Sequence, residues 1–373
     1  MFGFLYVLHP LQLLSFGLTA KYDYDYLNYG DRQYCMNSSR FLALMLILLS
    51  PMVQGQEYHL IRVTPVTEAS FRGLSVVDDD VAWISGNKGT VGRSTDGGRT
   101  WQVQQVPGFE NADFRSLYAF DDQRAVIANA GSPGYILRTE NGGKDWATVY
   151  TNSHPGIFFD GIDFWNAEEG MIYGDPLDGK LLLLRTGDGG KTWDNVETAP
   201  SLEKGEASFA ASGTGIRCTG KRDLLICTGG KVSRLWLSED AGIRWTAFSP
   251  PMIQGNSSTG IFSAARQGKD ITLVGGDFQN ESLSKAHHVY STDQGRTWNV
   301  PQIPARGYRE CVEFITENTL IAVGPAGADV STDGGTRWVK LFDEKGLHVI
   351  RKARKGKLLV AAGNTGTIFL IAP

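Results

Sequence analysis

The sequence has 373 residues, a formal net charge of −4 and 45 glycines. A slightly acidic chain does not attract the phosphate backbone, so we expect no nucleic-acid partner. The glycine content and an aromatic fraction of 11% suit short strands joined by tight turns, and no long stretch has helical periodicity. These features predict an all-β protein.

The N-terminal region contains two apolar stretches. Residues 36–55 combine a short polar start, an apolar core from Phe41 to Leu49 and small residues up to Gly55, which is typical of a secretory signal peptide that ends near Gly55. The core is shorter than the roughly 20 residues that a membrane-spanning helix needs. Residues 1–35 match no targeting pattern. Either translation begins at Met36, which we favour, or this segment is a leader; in both cases we expect a secreted or periplasmic protein.

An eight-residue pattern that ends in tryptophan occurs six times, first as STDGGRTW at residues 94–101. Its acidic or amide position and its tryptophan are Asp96 and Trp101, Asn141 and Trp146, Asp188 and Trp193, Asp240 and Trp245, Asp293 and Trp298, and Asp333 and Trp338. The copies lie 40 to 53 residues apart, which fits one four-stranded propeller blade per copy. They resemble the Asp-box (BNR) repeat of sialidases and related propellers.

A carboxylate beside two glycines can bind a phosphate or a metal ion, but the same residues also form tight turns. The aspartate can accept hydrogen bonds from the amides of its own turn, and the tryptophan can cover the turn with apolar surface. We interpret the boxes as structural and expect neither a metal nor a cofactor.

An apolar strand that ends in small residues precedes each box, as in VAWISGNKG. A seventh such strand, LLVAAGNTG, is followed by TIFLIAP without a box. The count predicts a seven-bladed β-propeller over residues 56–373 whose last blade lacks one strand. A closed ring leaves no sheet edge exposed. Residues 57–66 have strand-like composition, and we predict that they close the ring of a monomeric protein.

Cys218 and Cys227 flank a predicted hairpin turn at residues 220–223. A symmetric hairpin would place the two cysteines opposite each other, where an oxidising compartment would allow a cross-strand disulfide. Two reduced, partly buried thiols are the alternative.

The functional site is expected on the face opposite the boxes, because the longer connections lie there. The aligned openings of the innermost strands, with the ends of their neighbours, place polar residues around one end of the central channel. These residues are Arg72, Lys88, Arg115, Asn129, Asp160, Asp175, Glu206, Ser208, Asp277, Arg309 and His348. The three arginines at this end of the channel would form a receptor for a carboxylate, a phosphate or a peptide terminus. A structural ion-pair network is the alternative.

A glycoside hydrolase is the alternative function. Arginines near a propeller axis resemble those of sialidases, but the place of the sialidase Arg-Ile-Pro motif reads Phe-Arg-Gly-Leu at residues 71–74, and sialidases have six blades. Catalysis would use Tyr308 with Glu206, or paired carboxylates among Asp160, Asp175 and Asp277. We expect binding rather than catalysis and assign no catalytic residue.

The unit from Ser70 to Trp101 resembles a blade of the photosystem II stability and assembly factor family. Phe-Arg-Gly opens one strand, a Trp-x-x-Gly element ends the next, and a box follows. The similarity extends over about residues 57–371. The resemblance implies a protein or peptide partner, such as a membrane-protein client, that binds an arginine-bearing patch. Arg72, Arg115 and Arg309 correspond to that patch in this sequence. A small anionic ligand is the alternative partner.

Some bacterial relatives of this family carry an oxidoreductase label. The sequence offers no dinucleotide fingerprint and no redox CxxC pair to support that activity.

Overall fold

The computed structural model describes residues 58–63 and 67–372. The predicted signal peptide, the segment before it and residues 64–66 lie outside the described residues. The described chain forms 29 strands in seven sheets, arranged as a seven-bladed β-propeller. The predicted fold class is therefore confirmed. Among the same residues, no helix has the length and apolar character that crossing a membrane requires.

Five blades have four antiparallel strands each, ordered from the channel outward. Blade 1 comprises β2 (Phe71–Val76), β3 (Ala82–Gly86), β4 (Thr90–Ser94) and β5 (Gln102–Gln105). Blade 2 comprises β6 (Ser116–Ala119), β7 (Ala125–Ala128), β8 (Gly134–Thr139) and β9 (Ala147–Asn152). Blade 3 comprises β10 (Phe159–Phe164), β11 (Gly170–Leu177), β12 (Lys180–Thr186) and β13 (Asp194–Asn195). Blade 4 comprises β15 (Ile216–Thr219), β16 (Asp223–Cys227), β18 (Leu235–Ser238) and β19 (Thr246–Phe248). Blade 6 comprises β23 (Cys311–Phe314), β24 (Leu320–Gly324), β25 (Gly327–Ser331) and β26 (Val339–Phe342).

Blade 5 departs from this plan. Its strands are β20 (Thr259–Gln267), β21 (Asp270–Asp277) and β22 (His288–Ser291), and its outer strand is reduced to a bridge between Tyr290 and Asn299. Two short segments, β14 (Glu206–Ala207) and β17 (Gly229–Gly230), join the sheet beside β20. The connection before blade 4 and the connection between β16 and β18 within it are thereby tied to the next blade.

The N-terminal strand closes the ring. Blade 7 comprises β27 (Leu347–Lys352), β28 (Leu359–Gly363), β29 (Ile368–Ala372) and, at its outer edge, β1 (His59–Arg62). β1 runs antiparallel to β29, with His59 opposite Ala372 and Arg62 opposite Phe369. The predicted ring closure is confirmed, and the edge of β29 is covered.

The core lies between neighbouring sheets. Every residue of β3 is buried, whereas three of the four residues of the outer strand β5 are exposed. Apolar side chains on both faces of the inner strands are thus packed against adjacent blades, as strands buried on both faces require. Contacts between blades include the edge-to-face pair of Trp83 and Trp146, whose ring centroids are 6.3 Å apart.

Each box is a turn held by its own side chains. In the first, the Ser94 hydroxyl donates to Asp96 Oδ1 at 2.8 Å and accepts from the Gly98 amide at 2.9 Å. Thr100 donates its amide and its hydroxyl to the Asp96 carboxylate at 3.0 and 2.6 Å. The indole of Trp101 donates to the Gly98 carbonyl at 2.9 Å. The box therefore satisfies its own polar groups without a ligand.

The glycine pair of the box supplies left-handed backbone. Gly97 and Gly98 have φ of 75° and 77°, a region that side chains with a Cβ rarely enter. Ala241 and Gln294 stand at the first of these positions in two other boxes and keep φ of 58° and 64°. The hydrogen-bonded turn thus imposes this conformation even on residues other than glycine.

Of the two alternatives for Cys218 and Cys227, the strand register excludes the cross-strand disulfide. Cys218 lies opposite Leu224, because the turn of this hairpin comes after Thr219. Cys227 packs with Leu225 and Leu235, whereas Cys218 contacts the separate cluster that contains Leu224. The two cysteines therefore point to opposite faces of the sheet, and both are free thiols.

Removing β1 is expected to open the ring. A chain that begins at residue 64 should melt several degrees below a chain that begins at residue 57 and should self-associate, because the edge of β29 is then unpaired. Thermal melting and size-exclusion chromatography of the two chains measure the effect. Identical melting temperatures would contradict the role given to β1.

Disrupting a box is expected to destabilise the fold in a pH-dependent way. Asp96→Ala should lower the free energy of unfolding by on the order of 1 kcal/mol, measured by urea titration. Asp96→Asn should cost less, because Asn141 fills this position in the second box and its Oδ1 accepts from the Asp145 amide at 3.0 Å.

Hydrogen bonds from Thr100 lower the pKa of Asp96 from 3.8 to about 2. A lowered folded-state pKa gives stability that is present above pH 3.8 and is lost as the pH falls through about 2. The difference in the free energy of unfolding between wild type and Asp96→Asn should therefore become smaller as the pH falls from 3.8 to about 2. A gap that stays constant would argue against the assigned bonds.

Candidate functional site

A β-bulge near the start of several inner strands directs one side chain toward the channel. In blade 1, Phe71 pairs with Gly86 and Gly73 with Ser85, so that Arg72 is skipped. The residues skipped in the same way are Asp160 in blade 3, Phe262 in blade 5 and His348 in blade 7. A bulge re-aims the extra side chain and ends regular pairing. The bulges therefore bring Arg72, Phe262 and His348 together at one end of the channel, whereas Asp160 stays buried.

We call this end, where the inner strands begin, the loop face, and the opposite end, next to the Asp boxes, the box face. The loop face holds a cavity of about 420 Å³, the loop-face cavity. Its lining includes Arg72, Arg115, Phe209, Phe262, Phe278, Tyr308, Glu310, His348 and Asn364.

One side of the loop-face cavity is an ion-pair network. Arg72 Nη1 donates to the carbonyl of Ala211 at 2.7 Å and to Glu310 Oε2 at 2.8 Å. His348 contacts the same oxygen at 2.6 Å through Nδ1 and Asn364 Oδ1 at 2.6 Å through Nε2. Burial raises the pKa of Glu310, but Arg72 and His348 outweigh it and hold that pKa below its ordinary value. The carboxylate is thus ionised and holds both Arg72 and His348 in place.

The second cation of the loop-face cavity is more open. Arg115 Nε lies 2.7 Å from Asp113 Oδ2, and 32% of its side chain is exposed. Its remaining guanidinium donors have no acceptor among residues 58–63 and 67–372. Arg115 is therefore available to an incoming anion.

An aromatic wall faces these cations. Phe209 stacks on Phe262 with centroids 3.9 Å apart, and Tyr308 meets Phe262 edge-on at 4.8 Å. Phe278 stands edge-on to both phenylalanines and is 44% exposed. The wall presents an apolar surface to which a flat or branched side chain can bind.

Two predicted acids of blade 3 lie behind the surface. Asp160 is fully buried, and neither carboxyl oxygen has a hydrogen-bond partner among the residues of the described chain. Burial, reinforced by Asp175, raises the pKa of Asp160 far above its ordinary value. Asp175 accepts from the Ser208 amide at 3.0 Å, and burial raises its pKa too. Burial therefore disfavours the ionised form of Asp160, and the two acids do not form an open catalytic pair.

The prediction that Arg309 lines the channel opening is wrong. Arg309 is fully buried and donates from Nε to Asp329 Oδ2 at 2.9 Å, with a second bond from Nη2 to the same oxygen. The strand is one residue out of the expected register: Cys311 pairs with Val323, and the Glu310 amide donates to the Val323 carbonyl. Glu310 thus occupies the position of Arg72, and a shift of one residue reverses the side-chain direction.

Other predicted site residues have structural partners outside the loop-face cavity. Glu206 is buried against Arg234, Thr228 and Trp236. Asn129 bonds the backbone of its own turn, and Asp277 accepts from the Gln279 amide at 2.9 Å.

The Ser208 hydroxyl donates to the Gly174 carbonyl at 3.3 Å, and Lys88 is an exposed turn residue with φ of 55°. Burial raises the pKa of Tyr308 far above its ordinary value, which disfavours a phenolate nucleophile. The residues offered for glycoside cleavage do not converge on one open position.

Sequence reasoning missed Glu310 and the aromatic wall. Glycine ends the second strand of several blades, as Gly86, Gly324 and Gly363 do. Arg72 and Glu310 both lie 14 residues before such a glycine, so aligning on it gives Glu310 the position of Arg72 and would have found it. Phe209 and Phe278 lie on long connections that have no counterpart in other blades, so no repeat alignment could place them.

Comparison with known proteins agrees with this architecture. The family model "Photosynthesis system II assembly factor YCF48" matches residues 52–158, and a BNR/Asp-box repeat model matches residues 289–300. The Photosystem II assembly protein Ycf48 of Synechococcus sp. (strain JA-2-3B'a(2-13)) is 26% identical over 330 residues, covering 76% of this chain and 93% of that protein.

Two solved structures are similar in fold. The structure titled "YCF48 bound to D1 peptide" has a TM-score of 0.63 at 16% identity, covering 87% of this chain and 99% of that one. A GH74 xyloglucanase from Xanthomonas campestris has a TM-score of 0.59 at 15% identity, and the match covers 83% of this chain and 53% of the xyloglucanase. At these identities both show the fold alone.

The protein is a BNR-repeat β-propeller with a polar and aromatic cavity at the loop end of its channel. Within that class it is similar to photosystem II assembly factors, as its blade pattern predicted.

The reassignment of Arg309 predicts a large loss of stability when it is removed. Arg309→Met should lower the free energy of unfolding by about 3 kcal/mol, because the buried Asp329 carboxylate then keeps only its bonds from Arg306. The partly exposed Arg115 is the matched control, and Arg115→Met should cost less than about 1 kcal/mol. Denaturant titration measures both, and equal effects would contradict the buried placement.

Proposed function

We propose that this propeller binds a peptide segment of a protein partner in the loop-face cavity. The observation that carries the proposal is the juxtaposition of a cationic side, Arg72 and Arg115, with the aromatic wall in one cavity of about 420 Å³. Arginine and aromatic residues dominate the energetics of protein interfaces when they line a shared pocket.

The two sides of the cavity define the preferred peptide. Guanidinium groups bind carboxylates through charge-assisted, often paired, hydrogen bonds. Arg115 has open donors for such a group, whereas Arg72 is already held by Glu310 and contributes mainly its charge. The exposed ring of Phe278 offers apolar contact next to it. The peptide therefore carries a carboxylate beside an apolar or aromatic side chain.

Two of the similar proteins support this assignment. One structural relative is described as bound to a D1 peptide, and the curated relative is named a photosystem II assembly protein. The role we propose is accordingly that of an assembly factor that holds a segment of a membrane-protein client. The signal-peptide pattern at residues 36–55 supports a location outside the cytoplasm.

Replacing the two arginines of the loop-face cavity should weaken peptide binding. We expect the double variant Arg72→Gln, Arg115→Gln to bind a short peptide that ends in Phe-Asp with a free C-terminus at least about tenfold more weakly, or about 1.4 kcal/mol. Fluorescence anisotropy measures the affinity, and thermal melting checks that the variant is folded.

Lys88→Gln is the matched control, because it removes a cation on the same face but outside the loop-face cavity. Its affinity should equal that of wild type. An amidated Phe-Asn peptide should bind wild type no better than it binds the double variant. Equal binding of the two peptides by wild type would overturn the proposal.

A further inference from the structure

The box-face end of the channel holds a second cavity, which the proposed function does not use. It has a volume of about 340 Å³ and is lined by the final residues of all seven inner strands. We call it the box-face cavity. Because it lies at the other end of the same strands, it is separate from the loop-face cavity, and the two share no lining residue.

The box-face cavity has an excess of positive charge. Two carboxyl groups, those of Asp163 and Glu313, line it. Burial raises the pKa of both. Against them stand five cationic side chains, those of Arg217, Arg266, Arg351, Lys352 and Arg354. A cleft lined by one sign of charge with low-dielectric walls concentrates counterions.

The cations are fixed in place by the fold. Arg217, with 10% of its side chain exposed, donates from Nε to the Ala264 carbonyl at 2.6 Å and from Nη2 to Glu313 Oε2 at 2.8 Å. Arg354 donates from Nη1 to Ser75 Oγ at 2.9 Å, and its guanidinium lies 4.4 Å from the centre of the Tyr118 ring. These groups require no rearrangement to meet a ligand.

Several donors in the box-face cavity are unused. Arg217 bonds through Nε and Nη2, which leaves Nη1 without an acceptor in the described chain. Arg351 has only a 3.5 Å contact from Nη1 to Glu313. Lys352 forms no ion pair with any residue of ranges 58–63 and 67–372. Buried cations with open donors favour an anion that carries more than one charge.

We infer that the box-face cavity binds a phosphate monoester, with the phosphate group held by Arg217, Arg351 and Lys352. A phosphate group alone does not fill about 340 Å³. The remaining wall includes Tyr118, Phe164 and Phe314, which suit the small organic part of such an ester. Inorganic phosphate shares the recognised group and serves as the first probe.

Isothermal titration calorimetry with sodium phosphate, at ionic strength fixed by sodium chloride, tests this inference on the full-length protein. Wild type should bind phosphate, and glycerol 3-phosphate should bind several-fold more tightly. The variant Arg351→Gln, Lys352→Gln should bind both at least tenfold more weakly. Both residues lie at the end of β27 and are only partly buried, so the fold should persist, as thermal melting will show.

The matched control is the loop-face double variant Arg72→Gln, Arg115→Gln, which should bind phosphate as wild type does. Absence of phosphate binding in wild type, unchanged binding in the β27 variant, or loss of binding in the loop-face variant would each overturn the inference. None of these results bears on the peptide affinity of the loop-face cavity, so the two proposals fail separately.

Discussion

The antiparallel pairing of β1 with β29 is the interaction on which the rest of the structure depends. It converts a row of seven blades into a ring, and only a ring holds the inner strands around a common channel. Residues distant in sequence then become neighbours: Arg72 of blade 1 contacts Glu310 of blade 6 at 2.8 Å. Both cavities are products of this closure.

The two ends of the channel are chemically different because the inner strands end differently. At the loop face, bulges direct single side chains toward the channel and long connections add aromatic rings. The bulged Arg72 there meets the carboxylate of Glu310. At the box face the strands run regularly to their last residues, and cations outnumber acids. One frame thus supports an amphipathic receptor at one end and a cationic pocket at the other.

Much of this architecture could be predicted from the sequence because it is repeated. Six boxes and seven apolar strands define the number of blades, and the missing strand of blade 7 indicates how the ring closes. Features that depend on one-residue register could not be predicted in this way. Arg309 and Glu310 are adjacent, and the register of β23 against β24 decides which of them faces the channel.

Features outside the repeat were equally hidden. The pairing of Cys218 with Leu224 depends on where one turn falls. Phe209 and Phe278 of the aromatic wall lie on connections particular to blades 4 and 5. The cations of the box-face cavity, such as Arg217 and Arg351, lie near the ends of strands that carry no motif. Nothing in the repeat pattern therefore marks them.

The boxes also bear on the order in which the chain folds. Their hydrogen bonds join residues only two to four positions apart, as in the bonds of Ser94 and Thr100 with Asp96. Such local contacts form with little loss of chain entropy, whereas the contact of β1 with β29 closes a loop of nearly the whole domain. We therefore expect the outer hairpins to form early and ring closure to be the late, rate-limiting step of folding.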